Sequence, residues 1–191
     1  MFCSGIKTVE VHRDFERNNH LHDMIISAIL ATARNGAIGM DNKLLWSLPK
    51  DMKNFKDRTE GHCVIMGRKS YDSLPEKFKP LPNRTNIVLS NNPLFFSDGK
   101  IVVARNLNEA VMVAYARGET ECFIIGGANV YEQAFPICDR IYLTLVHTKL
   151  VGDAYVKVPF DTFDIVDTVY HAADEKHAYN FGIYEMHRKF E

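Results

Sequence analysis

The residue whose type and position most clearly suggest chemistry is Asp51, which lies in a segment of helical periodicity that opens at Pro49. Leu48, Met52 and Phe55 stand around it at spacings of three and four, so they share one apolar helical face with it. A carboxylate in a first helical turn is favoured by the helix dipole, which is the ordinary structural explanation. The chemical explanation is a carboxyl group in an apolar pocket, where desolvation favours the neutral acid and makes it a usable proton donor. At this stage both explanations remain open.

Two strand-to-helix junctions could bind an anionic ligand. In the first, an apolar strand ends in Gly126 and Gly127, which would let a ligand approach the backbone closely, although a tight turn is the commoner explanation. The G-x-G-x-x-G fingerprint of dinucleotide-binding domains is absent there. In the second, Arg68, Lys69 and Ser70 open a helix where cations oppose the helix dipole, so an anion would explain them better than local stability. Together the junctions favour a phosphate-bearing cofactor at the carboxyl ends of parallel strands.

Two further features accompany these segments. A glycine-bearing loop that starts near Ile38 leads to Trp46, the single tryptophan of the chain. Arg84 follows a Leu-Pro-Asn turn and precedes an apolar strand. A fixed turn of this kind could direct the guanidinium at a carboxylate, although an exposed arginine is the commoner case.

Hydrophobic periodicity predicts the elements that position these residues. Predicted strands cover residues 25–31, 63–66, 85–90, 101–104, 122–125, 140–146, 163–170 and 179–187, and predicted helices cover 49–58, 68–74, 107–116 and 129–135. The first five strands each lead into a helix or a long connection, as in a parallel sheet. In the last two strands apolar and polar residues alternate, which is typical of an antiparallel hairpin. The sequence therefore predicts a single α/β domain with a mixed, mostly parallel sheet of about eight strands, flanking helices and a C-terminal antiparallel hairpin.

The composition limits the class of protein. The chain has 191 residues, of which 46% are hydrophobic and 25% charged, with a formal net charge of -1. This length can bury the core of one globular domain, and the charge lacks the basic excess typical of nucleic-acid-binding proteins. No stretch approaches the roughly 20 apolar residues that cross a bilayer, and the N-terminus lacks the apolar region of an export signal. We therefore expect a cytoplasmic protein.

The N-terminal residues differ from the rest in their mixed charge. We expect residues 1–23 to be a mobile leader and residues 24–191 to form the folded domain. Three histidines of the leader, His12, His20 and His22, have no carboxylate or cysteine cluster to complete a metal site, so no metal is expected. No Cys-x-x-Cys pair is present, and we expect reduced thiols at Cys3, Cys63, Cys122 and Cys138.

The segment from Trp46 to Phe55, the two junctions and Arg84, in this order, resemble the dihydrofolate reductase family in its bacterial single-domain form over residues 24–191. The resemblance implies an NADPH-dependent oxidoreductase that reduces 7,8-dihydrofolate to 5,6,7,8-tetrahydrofolate, with hydride passing from nicotinamide C4 to pterin C6. It implies a place in tetrahydrofolate biosynthesis, one-carbon metabolism and thymidylate synthesis, with antifolate inhibitors as ligands. It further implies a monomer without nucleic-acid, membrane or metal partners.

The resemblance assigns catalytic roles to three residues. Asp51 would hydrogen-bond the pterin ring and assist protonation of N5, Thr144 would bond the Asp51 carboxylate, and Trp46 would hold an ordered water. The implied substrate-binding residues are Ile29, Asp51, Met52, Phe55, Lys56, Leu74, Leu81, Arg84, Ile125 and Thr144. Among them, Ile29 and Ile125 would offer backbone carbonyls to the pterin amino group, and Arg84 would bind the α-carboxylate of the glutamate tail.

The resemblance also implies a cofactor site in which residues 37–43 surround the nicotinamide, residues 68–70 and 126–130 hold the phosphates, and Ser90, Asn91 and Arg105 hold the 2′-phosphate. NADPH would then be preferred over NADH. The implied cofactor-binding residues are Ala31, Ala37, Ile38, Gly39, Met40, Asp41, Asn42, Lys43, Gly67, Arg68, Lys69, Ser70, Ser90, Asn91, Arg105, Gly126, Gly127, Ala128, Asn129, Val130, Tyr131 and Gln133.

Three positions depart from the family pattern. Leu45 stands before the tryptophan where proline is usual, which would loosen the active-site loop. Asn129 stands where bacterial relatives can carry arginine, which would weaken 2′-phosphate binding on that side, and Ala128 follows the glycine pair where glycine or serine is common.

Two alternative functions remain. A pyrimidine reductase of riboflavin synthesis shares the architecture, but its sugar-phosphate substrate would not need the glutamate-binding arginine. A nucleotide-binding regulatory protein would explain both junctions but would leave Asp51 on an apolar face unexplained.

Overall fold

A computed structural model describes residues 24–95 and 99–190 of the chain. In chain order the strands of these residues are β1 (Ile25–Ala33), β2 (Ala37–Gly39), β3 (Cys63–Gly67), β4 (Thr85–Leu89), β5 (Val102–Ala104), β6 (Glu121–Ile124), β7 (Arg140–Val146), β8 (Ala154–Tyr155), β9 (Phe163–His171) and β10 (Phe181–Arg188). Eight of them form one sheet in the order β5-β4-β3-β6-β1-β7-β10-β9, and β2 pairs with β8.

Strand direction in the large sheet confirms the predicted mixed architecture. β1 lies in the middle and pairs in parallel with β6 on one side and β7 on the other. β3, β4 and β5 extend the parallel part beyond β6. β10 pairs antiparallel with β7 on one side and with β9 on the other. The β9–β10 pair is the C-terminal hairpin. The parallel strands therefore bring their carboxyl ends to one edge, where open α/β sheets bind ligands.

The helices cover both faces of the sheet, which explains why its central strands are almost continuously apolar. The α-helices are α1 (Pro49–Thr59), α2 (Arg68–Asp72), α3 (Leu107–Ala116) and α4 (Ala128–Ala134), with single 3-10 turns at Glu76–Phe78 and Phe135–Ile137. On one face the core includes Val111 of α3 and Ala134 of α4. On the other, Phe55 of α1 and Tyr71 of α2 pack over buried residues such as Val64. The ends of α1 and α2 consequently lie beside the carboxyl edge.

Several predicted boundaries differ from the structure. Residues 37–43, predicted to be a loop, contain β2, which pairs antiparallel with β8. Strands of two or three residues are too short to show a period, so both were missed. The helix predicted over 68–74 ends at Asp72, and the strand predicted over 179–187 begins at Phe181. The helix predicted over 129–135 begins at Ala128 and ends one residue earlier than predicted, at Ala134. Pro136 cannot continue the α-helical hydrogen bonds, and a 3-10 turn begins at Phe135.

The cysteines of the described residues are free, as predicted, and all three are buried. Burial raises the pKa of Cys63 and of Cys122 to about 12, so these thiols are poor nucleophiles at neutral pH. Cys3 and the three leader histidines, like the rest of residues 1–23, lie outside the described residues. Within residues 24–95 and 99–190, no helix is long and apolar enough to cross a membrane, and no group of three or more potential ligands could hold a metal ion.

The turn before β4 depends on a buried polar side chain, Asn86. Its Oδ1 accepts the Leu81 N–H at 3.0 Å, and its Nδ2 donates to the carbonyls of Leu81 and Arg84. We expect Asn86→Ala to lower the free energy of unfolding by about 3 kcal/mol, because it leaves three backbone groups unpaired. Urea denaturation measures this, with Asn129→Ala as the control, since among the described residues the exposed Asn129 side chain bonds only to Gln133 of its own helix. Equal effects of the two substitutions would contradict this account of the turn.

Candidate active site

A cleft of about 1580 Å³ runs along the carboxyl edge of the sheet. It is lined from the ends of β1, β3, β4 and β6, from α1, α2 and α4, and from the β2–β8 pair. Pockets for one small ligand have volumes of roughly 300–1,000 Å³. The larger cleft therefore has room for a dinucleotide and a second ring compound side by side.

Asp51 lies in the wall of this cleft, in the first turn of α1, and is half-buried. The hydroxyl of Thr144, a buried residue of β7, donates a hydrogen bond of 2.7 Å to Asp51 Oδ1. Burial raises the pKa of Asp51 above its ordinary value, and the Thr144 hydrogen bond partly opposes this. Of the two explanations open from the sequence, this environment favours the carboxyl group held in an apolar pocket, because a raised pKa is what a proton-handling group needs.

The pocket around Asp51 has apolar walls. Met52 and Phe55 project from α1, with Leu74 and Leu81 across the cleft. Ile29 and Ile125 line the sheet edge between them. Apolar walls around a single carboxyl group are suited to a flat aromatic ring that presents hydrogen-bonding groups at one end only.

Trp46 does not line the cleft but packs beside it, against the buried cluster of Leu48, Val146 and Phe181. Its indole Nε1 is buried, and no side chain or backbone group of the described residues accepts its hydrogen bond. A buried donor of this kind requires a partner, so the site fits an ordered water at this nitrogen.

Arg84 lies behind the outer end of the pocket. Its guanidinium donates to Thr59 Oγ1 and to the Pro82 carbonyl, each at 3.0 Å, and its Cζ lies 5.7 Å from the centre of the Phe55 ring. Burial lowers the pKa of Arg84, although Glu60 opposes this, and the group stays charged at neutral pH. The positive charge of Arg84 therefore lies beside Phe55, which lines the pocket, although Arg84 itself does not line the cleft.

The two junctions predicted to bind an anion meet in the cleft. The Gly67 N–H donates to the Gly126 carbonyl at 2.7 Å, which joins the end of β3 to the segment before α4. A Cβ at Gly127 would lie 3.1 Å from Ser70 Oγ, so any side chain at this position would crowd the Ser70 hydroxyl. Arg68 and Lys69 line the same part of the cleft, where their charges can act on one ligand.

Gly126 adopts a φ of +107°, a region that favours glycine, and its peptide bond to Gly127 is cis. The buried Tyr131 covers it, and the Tyr131 hydroxyl donates 2.8 Å to the Ile29 carbonyl. Burial raises the pKa of Tyr131, with a smaller contribution from Asp51, so the hydroxyl keeps its proton. This hydrogen bond ties α4 to the end of β1.

Most of the residues predicted for the site line the cleft: Ile29, Asp51, Met52, Phe55, Leu74, Leu81, Ile125, Ala31, Ile38, Gly39, Asn42, Lys43, Gly67, Arg68, Lys69, Ser70, Ser90, Asn91, Arg105, Gly127, Ala128, Asn129, Val130, Tyr131 and Gln133. The predicted residues outside the lining are Trp46, Lys56, Arg84, Thr144, Ala37, Met40, Asp41 and Gly126. Their roles stay predictions.

Four of the residues outside the lining have other surroundings in the structure. Lys56 is exposed and pairs with Glu60 of its own helix turn at 3.9 Å. Ala37 is fully buried beneath the cleft floor. Met40 forms a bridge with Lys43, and the Asp41 N–H donates to Asp153 Oδ2 at 2.9 Å. Met40 and Asp41 thus belong to a hydrogen-bonded loop, which residue types alone did not reveal.

The cleft lining also includes residues that the sequence interpretation missed: Leu30, Leu44, Met66, Ser73, Pro75, Phe78, Leu89, Asn92, Asn106, Leu107, Asp153, Ala154 and Tyr155. The last three come from β8 and the residue before it. No periodicity or motif marks so short a strand, so no signal in the sequence could have placed them there.

The fold and cleft fit one class of protein: an α/β enzyme with room for a phosphate-bearing dinucleotide at its strand ends and for a ring compound beside the Asp51 carboxyl group. Comparison with known proteins then places the chain within that class. The family model described as "Dihydrofolate reductase" matches residues 25–188, and the chain belongs to the dihydrofolate reductase family, whose members are NADPH-dependent oxidoreductases.

Individual relatives agree over nearly the whole domain. The chain is 38% identical to the dihydrofolate reductase of Bacillus subtilis over 170 residues, which cover 86% of this chain and 95% of that protein. It is 38% identical to the dihydrofolate reductase of Haemophilus influenzae over 167 residues, 87% of this chain and 100% of that protein. A solved structure of dihydrofolate reductase from Enterococcus faecalis, complexed with NADP(H) and RAB-propyl, superposes with a TM-score of 0.78 at 33% identity, over 87% and 97% of the two chains.

Proposed function

We propose that this chain catalyses the NADPH-dependent reduction of 7,8-dihydrofolate to 5,6,7,8-tetrahydrofolate and so supplies one-carbon metabolism and thymidylate synthesis. The observation that carries the proposal is the Asp51–Thr144 pair, which sets one protonatable carboxyl group in an apolar pocket that opens into the same cleft as the anion-binding junctions. Membership of the family supports it.

The residues of the cleft fit NADPH. A Cβ at Gly67 would crowd the Val130 side chain, and a Cβ at Gly127 would crowd Ser70 Oγ. Because these glycines carry no Cβ, they would let the diphosphate approach the backbone closely. Ser90, Asn91 and Arg105 follow β4 and β5 and line the cleft, where they would hold the 2′-phosphate. The bound cofactor supplies the hydride, which passes from nicotinamide C4 to pterin C6.

Asp51 acts on the substrate ring. Its carboxyl group would hydrogen-bond the pterin and support protonation at N5, while the Thr144 hydroxyl fixes its orientation. A raised pKa keeps a larger fraction of the carboxyl group neutral near pH 7 than an ordinary aspartate would show. The apolar walls of Met52 and Phe55 exclude water from the ring, which strengthens the interaction of the carboxyl group with it.

Further residues would support these steps. The carbonyls of Ile29 and Ile125 would accept from the pterin amino group, and Trp46 Nε1 would hold the water beside the substrate. Ile29 already accepts from the Tyr131 hydroxyl and keeps a second lone pair for the ligand. The same pocket would take antifolate inhibitors, and we propose that the protein acts as a monomer.

The decisive experiment follows NADPH absorbance after 7,8-dihydrofolate is added to the full chain, with NADH and substrate-free reactions in parallel. We expect rapid oxidation of NADPH that requires dihydrofolate, and slower oxidation of NADH. Tight NADPH binding by the folded protein without turnover of dihydrofolate would contradict the proposal and favour a nucleotide-binding regulatory protein.

Removing the Arg84 charge should weaken substrate binding selectively. We expect Arg84→Ala to raise KM for dihydrofolate about 10- to 100-fold with little change in kcat, because a charge-assisted hydrogen bond is worth about 1.5–3 kcal/mol. The tail it binds lies away from the reacting ring. Steady-state kinetics at saturating NADPH measure this, and Arg117→Ala, at the end of α3, serves as the control. A fall in kcat with unchanged KM would contradict the assigned role.

A further inference from the structure

The N-terminus of α1 is held by a residue from a distant part of the chain. Leu48, at the N-cap position, provides no side-chain hydrogen bond, and Pro49 has no N–H to donate. The next donor, the Lys50 N–H, is accepted by the imidazole Nε2 of His177 at 3.3 Å across 127 residues of sequence. His177 lies in the turn between β9 and β10 and therefore takes the place of an N-cap side chain for this helix.

The His177 ring is itself fixed in place. It is only 3% exposed, and its Nδ1 lies 2.6 Å from Asp174 Oδ1. The backbone N–H groups of Asp174 and His177 donate to one another's carbonyls at 3.0 and 3.1 Å, which closes the turn. Because Nε2 accepts a hydrogen bond, the proton of the neutral ring must be on Nδ1, and Asp174 selects this tautomer.

Lys50 is followed directly by Asp51, so the cap acts one residue from the carboxyl group of the site. The other end of α1 is also tied to the hairpin, since Arg58 donates to Glu185 of β10 at 3.2 Å. The first turn has no other cap among the described residues. We propose that His177, held by Asp174, is a positioning residue that fixes the first turn of α1 and thereby holds the Asp51 carboxyl group against the Thr144 hydroxyl.

Other charged and titratable groups lie near the imidazole. Besides Asp174, which holds the ring, the groups at this surface are Lys50, Lys53, His171, Glu175 and Lys176. His171 is the most similar of them, because its ring also packs on Phe181, at 4.8 Å against 5.5 Å for His177. It contacts the Lys50 side chain at 3.3 Å rather than the helix backbone. His171 is therefore a matched control for ring packing without helix capping.

The test compares variants that separate capping from packing. His177→Phe keeps an aromatic ring on Phe181 but cannot accept a hydrogen bond, whereas His177→Gln offers an amide oxygen near the position of Nε2. Asp174→Ala leaves the ring in place and removes the group that selects its tautomer, which keeps the proposal testable if His177→Phe does not fold. His171→Phe is the control.

The first measurement does not depend on activity. The carboxyl 13C resonance of Asp51 is titrated by NMR in the full-length wild type and in each variant. We expect the pKa of Asp51 to rise in His177→Phe and, less, in Asp174→Ala, because the hydrogen bond from Thr144 that lowers it is weakened. His177→Gln and His171→Phe should titrate like the wild type. Titration of Asp51 unchanged in both folded capping variants would overturn the proposal, even if their melting temperatures fell.

The second measurement is the single-turnover rate of NADPH oxidation by dihydrofolate, which rests on the proposed function. We expect His177→Phe to slow this step about tenfold, since small displacements of catalytic groups have effects of this size, while the Kd for NADPH stays unchanged. His177→Gln should restore most of the rate. If the wild type does not turn over dihydrofolate, the proposed function fails, whereas the Asp51 titration still decides whether His177 positions the carboxyl group.

Discussion

Asp51→Asn is expected to lower the rate of dihydrofolate reduction at pH 7 by about 10²-fold or more, in the range found when a positioned proton-transfer group is removed. The amide can still accept a hydrogen bond from Thr144 at its oxygen, so the local geometry is kept. It cannot exchange a proton with the substrate. The loss should therefore be smaller in acid, where the substrate is already protonated, and larger as the pH rises. Single-turnover rates between pH 5 and 9 measure this.

The same substitution should not destabilise the fold. Burial raises the pKa of Asp51 in the folded state, so this group favours folding most at low pH, where it is neutral in both states, and costs stability as it ionises. The melting temperature of Asp51→Asn relative to the wild type should therefore increase as the pH rises through the raised pKa. The control is Asp57→Asn, because Asp57 is an exposed carboxylate of the same helix and pairs with Lys53. Full activity of Asp51→Asn at pH 7 would refute the assigned role of the carboxyl group.

Gly126→Ala is expected to abolish tight NADPH binding and to lower the free energy of unfolding by about 3 kcal/mol. A side chain at a φ of +107° is strained by roughly 1–3 kcal/mol. Its Cβ would also lie 2.9 Å from Cε2 of Tyr131, closer than van der Waals contact allows. The ring can give way only by disturbing its buried hydrogen bond to the Ile29 carbonyl. Tyr131 belongs to α4, which starts two residues after Gly126. A displaced Tyr131 ring should therefore also shift the start of α4, where the cofactor phosphates would bind.

The matched control is Gly118→Ala, at the end of α3. Gly118 also has a positive φ, +74°, but no atom of the described residues lies within 4 Å of the Cβ that would be added. It should show only the backbone strain, with unchanged NADPH affinity. Isothermal titration with NADPH and urea denaturation of both variants separate the two effects. Equal losses in the two variants would show that the Tyr131 contact is unimportant.

The sequence predicted the parts of the site that depend on local patterns. Asp51 was recognisable because a carboxylate breaks the apolar face of an amphipathic helix, and the structure places it in an apolar wall with a raised pKa. Gly126 and Gly127 were recognisable because the pair separates the apolar pattern of a strand from the helical pattern that follows it. Arg84 was recognised by its turn, but its bond to Thr59 required the approach of α1 to β4.

By itself the sequence determined the α/β class, the eight strands of the large sheet and the four α-helices within a few residues, and the chemical character of the pocket. It could do so because hydrophobic periodicity and the Gly and Pro residues that end helices and strands are local properties of neighbouring residues. Only the tertiary structure decided the sheet order, the pairing of β2 with β8 that brings Asp153 to the cleft, and the capping of α1 by His177. The last contact spans 127 residues, and its hydrogen bond requires the C-terminal hairpin to lie beside the first turn of α1. Such contacts depend on where distant segments meet in space, which no local pattern of residue types encodes.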